Sequence, residues 1–508
     1  MSLREPLSEQ DVFSGAREKV DEIIIWLSSK ETMNKSHSDI ERELRENGRE
    51  LLRQLLQGHI DARGDGDVGA SVIGSDEQIR SHKRQDMNRS LNSIFGSVKV
   101  NRIGYNGRQK SYIFPKDASL NLPEDCFSHE LQKELVIEAS RGSYDGSIER
   151  IEDHTGIKPS KGKVSEILCN SVRDFRSYYD QECREESIAE AKKRPLLILT
   201  TDGKGIVMRK EGLREQTRKR AESSSYKLKK RLSKGEKGNR KRMALVASVY
   251  SIDCHVREPC DILEELGRKS SNRKRPRPVG KRVWASIEDS PDEVTDQLFE
   301  EGLRRDSKQE KEWVIVVDGD DKQKKRLILK AEVHKVKPTI ILDFIHVLEY
   351  LWKVARVFYD EIDTKGEEWV NKQLLEILKG KTSKVIMAIQ AKAKWLKLKN
   401  SLSKKDRKVV KTSVGYLKKN KEYLKYNQYL AKGYPIASGV IEGACRHLIN
   451  DRMDITGARW GLAGAEAVLK ARSLISSGDF EKYWKFHETE EFKRNHTSQF
   501  KNLNGLIP

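Results

Sequence analysis

Two short apolar runs, Leu196-Leu197-Ile198-Leu199 and Val314-Ile315-Val316-Val317, set the limits on what this chain can fold into. The first leads through two threonines to Asp202-Gly203, and the second leads directly to Asp318-Gly319. Unbroken apolar runs of this length read as strands covered on both faces, and Asp-Gly after them reads as a turn. A third acid, Glu442, lies in YPIASGVIEGACRHLI, where Val440, Ile441, Ala444, Cys445 and Leu448 recur at helical spacing. Two carboxylates at strand ends and one on a helix can hold a pair of divalent cations. Such a pair clamps the attacking and leaving oxygens of an in-line phosphoryl transfer. Asp-Gly is also an ordinary turn signal, so the reading rests on the three acids together, in this order.

Composition narrows the substrate. The chain has 508 residues, and 98 Lys+Arg against 78 Asp+Glu give a net charge of +20, which favours a polyanionic partner. For phosphodiester chemistry that partner is nucleic acid. Charged residues make up 35% of the chain and its mean hydropathy is -0.73, so much of the surface is solvated. The cysteines, Cys126, Cys169, Cys183, Cys254, Cys260 and Cys445, include no C-x-x-C pair. That argues against a zinc ribbon or a disulfide framework and fits a reducing cytosol. No apolar stretch approaches the roughly 20 residues of a membrane span, and MSLREPLSEQ lacks a signal-peptide core, so the expectation is a cytoplasmic protein with no membrane partner.

Five regions follow along the chain. Residues 1–65 carry helical spacing (Val20, Ile23, Ile24, Leu27, then Leu44, Leu51, Leu52, Leu55), which suits a helical pair for self-association or simple packing. Residues 66–190 open on a glycine-rich boundary. They continue through SIFGSVKVNRIGY, which alternates like a strand pair with Gly96 at a turn or bulge. The same region holds YDGSIERIEDHTGIKPSKGKVSEILC (144–169), a candidate helix-turn-helix: Ile148 and Ile151 face inward, His154-Thr155-Gly156 turns, and Ser160 caps a helix bearing Val164, Ile167 and Leu168. Lys158, Lys161 and Lys163 cluster where a recognition helix meets DNA; an ordinary helical hairpin fits the same pattern. Residues 191–360 hold the two acidic strand ends and two basic arms, 209–242 and 267–282, whose scarce apolar residues predict loops that hold phosphates or act as solvated spacers. Residues 361–434 read as a Lys-rich helical insertion, and 435–508 return to the catalytic domain with the Glu442 helix and a tail.

Further residues surround the three acids. Asp343 ends the run TIIL, and His346 and Glu349 follow on one helix face. His346 can orient a carboxylate or meet the scissile phosphate, or be a satisfied structural histidine. Arg446, one turn beyond Glu442, can steady that carboxylate or bind a phosphate oxygen. Arg452, Arg459 and Trp460 follow, and Arg beside Trp can grip a backbone and stack on a base; core packing is the other reading of Trp460. Strands, helices and carboxylates in this order suggest a mixed sheet of the ribonuclease-H type with insertions in both gaps.

LLILTTDGKGIVMRK, WVIVVDGDDKQ, ILDFIHVLEYLWKVARVF and above all YPIASGVIEGACRHLINDRMDITGARWGLAGAEAVLKARSLISSGDFEKYWKFH resemble bacterial insertion-sequence transposases of the ISKra type. The likeness also covers ERELRENGRELLRQLLQGHIDAR, SIFGSVKVNRIGY and the segment from FPKDASLNLPEDCFSHELQ to HTGIKP, and so nearly the whole chain. It implies a DDE transposase: an α/β ribonuclease-H-like core split by a helical insertion, after a mostly helical DNA-binding region with a helix-turn-helix. Asp202, Asp318 and Glu442 would then be the metal-binding triad for two Mg²⁺ or Mn²⁺ ions. Asp343-x-x-His346 is similar to the C/D-x-x-H signature of mutator-like and related transposases. The implied partners are double-stranded DNA, as transposon ends and target, and a second copy of the chain, as homodimer or higher oligomer. A structure-specific nuclease and a non-catalytic DNA-binding protein remain the rival classes.

Overall fold

The computed structural model describes residues 11–181, 191–223, 240–267, 275–360, 363–398, 402–455 and 457–501. The chain divides into two compact units, one of Met1–Tyr178 with Phe480–Pro508 and one of Tyr179–Asp479.

The first unit begins with the expected helical pair, Ser14–Leu27 packed on His37–Ala62. Three two-stranded ribbons follow, of which Arg89–Ser93 with Gly96–Val100 is the predicted hairpin. Three helices, His129–Arg141, Tyr144–Thr155 and Lys161–Ser171, then pack on one another. Tyr144–Thr155 ends because Gly156 takes a left-handed conformation (φ 72°) that costs glycine nothing. Ser160 caps the next helix by accepting the Lys163 N–H at 3.2 Å, and Ile151, Val164, Ile167 and Leu168 are buried as their spacing required.

One expected boundary is corrected. The sequence places the tail from Phe480 with the catalytic domain, but helix Phe480–Asn495 belongs to the first unit. There Tyr483 donates to the Ser171 carbonyl (2.7 Å), and His487 meets Asp174 (2.7 Å) in a buried network with Arg494, Arg173 and Glu491. Breaking this network would strand charges away from water, which fixes the helix where it is.

The second unit is a mixed α/β structure around one five-stranded sheet. Its strands are β1 (Leu196–Val207), β2 (Lys241–Ile252), β3 (Val279–Ser286), β4 (Glu312–Val317) and β5 (Thr339–Leu342), ordered β5-β4-β1-β2-β3. β4 runs parallel to β1 and β5, while β2 is antiparallel to β1 and β3. Helices α1 (Pro291–Arg305), α2 (Asp321–Val333) and α3 (Phe344–Phe358) follow β3, β4 and β5 in turn. α4 (Thr364–Leu378), α5 (Thr382–Leu398) and α6 (Lys404–Lys419) form the helical insertion, with α4 and α6 packed on α3. α7 (Gly439–Cys445) carries Glu442, and α8 (Leu462–Ser477) lies along β3. Neighbouring side chains on a strand point to opposite faces. Gln323 of α2 bonds Thr201, whereas Cys445 of α7 bonds Asp202, so these helices cover opposite faces and the LLIL run is dry on both sides.

Two local expectations fail here. Asp202-Gly203 makes no turn: β1 continues to Val207 because β2 pairs with it along its whole length, Asp202 opposite Val246. The basic arms are also more ordered than their composition implied. Lys210–Gly212 is a single 3-10 turn, Glu215–Ser223 is a helix, and Val279–Arg282 begins β3. Arg282 is buried there, 2.6 Å from Glu301 and stacked over Tyr179, a pairing that removes it from any phosphate-binding surface. Residues 224–239 and 268–274, a little under half of each arm, lie outside the described residues.

Candidate metal centre

The three acids approach one end of the sheet from three elements. β1 and β4 pair in parallel up to Thr200 opposite Val316, so Asp202 and Asp318 each sit two residues further along adjacent strands, which lie about 4.8 Å apart. α7 packs against β1 and β2 and delivers the third acid. Cys445, less than one turn after Glu442, donates its thiol to Asp202 Oδ2 at 3.1 Å and pins α7 to β1 beside the carboxylate. The Asp202 Oδ1 accepts the Gly203 N–H at 2.7 Å, and Asp318 Oδ1 accepts the Asp320 N–H at 2.9 Å.

Electrostatics reflects the crowding. Burial, and then the charge of Asp202, push the Asp318 carboxyl above the usual carboxylate range, against the Asp320 N–H and His346. Burial and the charges of Asp343 and Asp202 likewise raise Glu442, with His346 opposing. Like charges gathered in partial burial need a cation or a proton to coexist, and an all-carboxylate set beside one imidazole suits Mg²⁺ or Mn²⁺.

Among the described residues the ligand atoms of Asp202, Asp318 and Glu442 do not all lie within 4.8 Å of one another, whereas another set around Glu442 does. Asp343, His346 and Glu442 bring one ligand atom each within 4.8 Å of one another. Asp343 is fully buried and already committed: Oδ1 accepts the Ile345 N–H (2.8 Å), and Oδ2 accepts the Ser438 N–H (3.0 Å) and hydroxyl. It caps α3 and anchors the start of α7, a supporting role, while His346, one turn into α3, stands between Asp318 and Glu442 in charge. A second grouping, Asp174, His487 and Glu491, belongs to the first unit. Arg494 and Arg173 already neutralise its carboxylates, so it is a structural network with no room in its charge balance for a cation.

The basic residues expected to meet DNA fare unequally. Arg446 is exposed and turns to Asp451 (3.6 Å) rather than steadying Glu442, because the helix relaxes into a π-turn over Arg446–Asn450. Arg459 is exposed. Trp460 and Arg452, 7% and 5% exposed, are corrected to packing residues. The indole N–H donates to the Met453 carbonyl (3.1 Å), and the Arg452 guanidinium lies 4.6 Å from the ring centre, so neither side chain is offered to a base. In the first unit, Lys158, Lys161 and Lys163 cluster at the second helix as expected, each paired with a carboxylate: Glu152, Asp145 and Asp125.

Sequence reasoning missed Ser438, Cys445 as a thiol, Gln323 and Tyr416. Ser438 stands just before a helical run, which marks a helix start but not the bond to Asp343 that it makes instead of a cap. The others announce nothing in sequence. Among the described residues no helix is long and apolar enough to cross a membrane. Compared with protein-family models the chain matches none, and no curated protein matches it.

Proposed function

We propose that this chain is a DDE transposase, an enzyme that cuts DNA at transposon ends and joins the exposed 3′-OH to a target. The convergence of Asp202, Asp318 and Glu442 from β1, β4 and α7 on one end of the sheet carries this reading. The strand order and mixed pairing agree with a ribonuclease-H-like core, and α4 to α6 with the insertion such a reading expects. Mg²⁺ or Mn²⁺ held by the three acids would activate the attacking oxygen and steady the leaving one. The chain's own residues do the rest: Asp343 sets α7 through Ser438, Cys445 fixes Asp202, and His346 stands beside Asp343 and Glu442 from α3.

The tri-helical group His129–Ser171 is the proposed DNA-reading unit, its helix-turn-helix presenting Lys158, Lys161 and Lys163 to phosphates. The carboxylate partners of these lysines would be exchanged for phosphates on binding. In the second unit Arg446, one turn beyond Glu442, and Arg459 are exposed and suit phosphate oxygens. Val20, Ile24, Ile25, Leu44, Leu52 and Leu55 stay exposed on the N-terminal helical pair and favour self-association, which bringing two ends together requires.

The test is a labelled-end assay in Mg²⁺ with wild type and Asp318→Asn, beside gel-shift affinity. The expected result is cut and joined products from wild type, and a loss of several powers of ten in the variant with DNA affinity kept. Cut-only products would mean a nuclease, binding without either product a DNA-binding protein, and normal cleavage by the variant would remove Asp318 from the site.

A further inference from the structure

The helical insertion reaches the metal centre through one side chain. Tyr416, near the end of α6, donates its hydroxyl to the backbone carbonyl of Asp318 at 2.8 Å. Its ring stacks on Tyr350, centroids 3.9 Å apart and 21° between planes, and Tyr350 lies one turn beyond His346 on α3. The next residue, Gly319, has φ 94°, and a Cβ there would sit 2.9 Å from the Tyr416 hydroxyl and 2.9 Å from Leu342. Only a glycine lets the chain turn under that ring.

Further ties fall on the same segment. Lys419 pairs with Asp321, the Asn420 side chain accepts from buried Lys324, and that lysine lies over the Tyr423 ring at 5.4 Å. The insertion is therefore fastened to Asp318–Lys324, the turn that aims the second carboxylate and opens α2. On the same α6, Lys404, Lys405, Lys408 and Lys411 are exposed at the far end.

We propose that Tyr416 is a positioning residue for Asp318: its hydroxyl on the Asp318 carbonyl sets the turn from which that carboxylate faces the cation. The insertion then completes the metal centre and does not merely decorate it. This rests on the metal-centre reading above, and the two are separable by experiment.

The probe is Mn²⁺ alone, titrated calorimetrically into the full chain as wild type, Asp318→Asn and Tyr416→Phe, each shown folded by near-ultraviolet circular dichroism. Phenylalanine keeps the ring stack and deletes only the hydroxyl. The expected result is binding by wild type, loss in Asp318→Asn, and an affinity weakened on the order of fivefold in Tyr416→Phe, the ratio carried by about one net hydrogen bond. In end cleavage, excess Mg²⁺ should restore the Tyr416→Phe rate, which a general loss of stability would not allow. Equal Mn²⁺ affinity in wild type and Tyr416→Phe overturns the proposal. Wild-type binding that Asp318→Asn leaves intact, or no binding at all, overturns the metal centre itself.

Discussion

Ser438 gives both its backbone N–H and its hydroxyl to one carboxylate oxygen of Asp343, tying the start of α7 to the end of β5 across 95 positions of chain. Ser438 precedes α7 with φ -95° and ψ 32°, not the extended backbone of a capping serine, and its side chain does not cap the helix. Glu442 lies one turn further along, so its placement depends on a residue that itself need touch no cation.

Asp343→Ala should therefore damage the centre more than its distance from the reacting atoms suggests. The change leaves the Ile345 N–H and both Ser438 donors without a buried acceptor, a cost of about 2–4 kcal/mol. Mn²⁺ affinity should fall by roughly tenfold or more as α7 loses its anchor. Ser438→Ala removes one donor only and should cost about 1 kcal/mol with a small change in affinity. Urea unfolding and calorimetric Mn²⁺ titration measure both. Wild-type affinity in folded Asp343→Ala would show that Glu442 is held by other contacts.

How much of this was legible follows from the range of the interactions involved. The strands β1, β4 and β5 and the helix pair of residues 144–171 were readable because burial stamps a period on local sequence, as at Leu196–Leu199 and at Val164, Ile167 and Leu168. Asp202 was readable as an acid beside a buried strand but not as a mid-strand residue, since only its partner Val246 on β2 keeps the chain extended through Gly203. Strand β3 was hidden for a related reason. Its Arg282 looks like part of a basic loop until Glu301, from a later helix, neutralises it. Tyr416 and Cys445 lie outside any periodic signal, because a hydroxyl on a distant carbonyl and a thiol on a distant carboxylate depend on the fold alone.

Trp460 supplies a test that separates packing from DNA contact. The Trp460 backbone joins the end of β1 to the segment before α8: its N–H donates to the Val207 carbonyl (3.1 Å) and its carbonyl accepts the Arg209 N–H (2.8 Å). Trp460→Phe leaves the Met453 carbonyl without its indole donor and opens a void beside Arg452, for a predicted loss of about 1–3 kcal/mol. Affinity for duplex DNA at fixed salt should not change. Thermal unfolding beside a gel shift decides the matter, and a tenfold drop in affinity at unchanged stability would place the indole on the DNA.

In the first unit, acid sensitivity should come from His129 before it comes from the carboxylates. Both ring nitrogens of His129 are buried; the Asn121 backbone is near enough to favour the charged form slightly, but without the geometry of a full hydrogen bond. Burial, reinforced by His487 and opposed by Glu491, brings its pKa from 6.5 down to about 4. Burial also lowers His496. A depressed histidine favours the folded chain only while neutral, so the unfolded chain takes up the proton first. Stability is full above 6.5 and drains as pH falls towards about 4. The loss for His129 is on the order of 3 kcal/mol when complete, and about 2 kcal/mol of it should already be gone near about pH 5. Asp174, held near about 2 despite burial by hydrogen bonds from His487 and Arg494, gives way only below that window. Urea unfolding at about pH 7 and about pH 5 should show this loss in wild type and a smaller one in His129→Phe, where the lowered His496 is still present. Identical pH dependence in the two proteins would mean that His129 accepts its proton without cost and that the acid lability lies elsewhere.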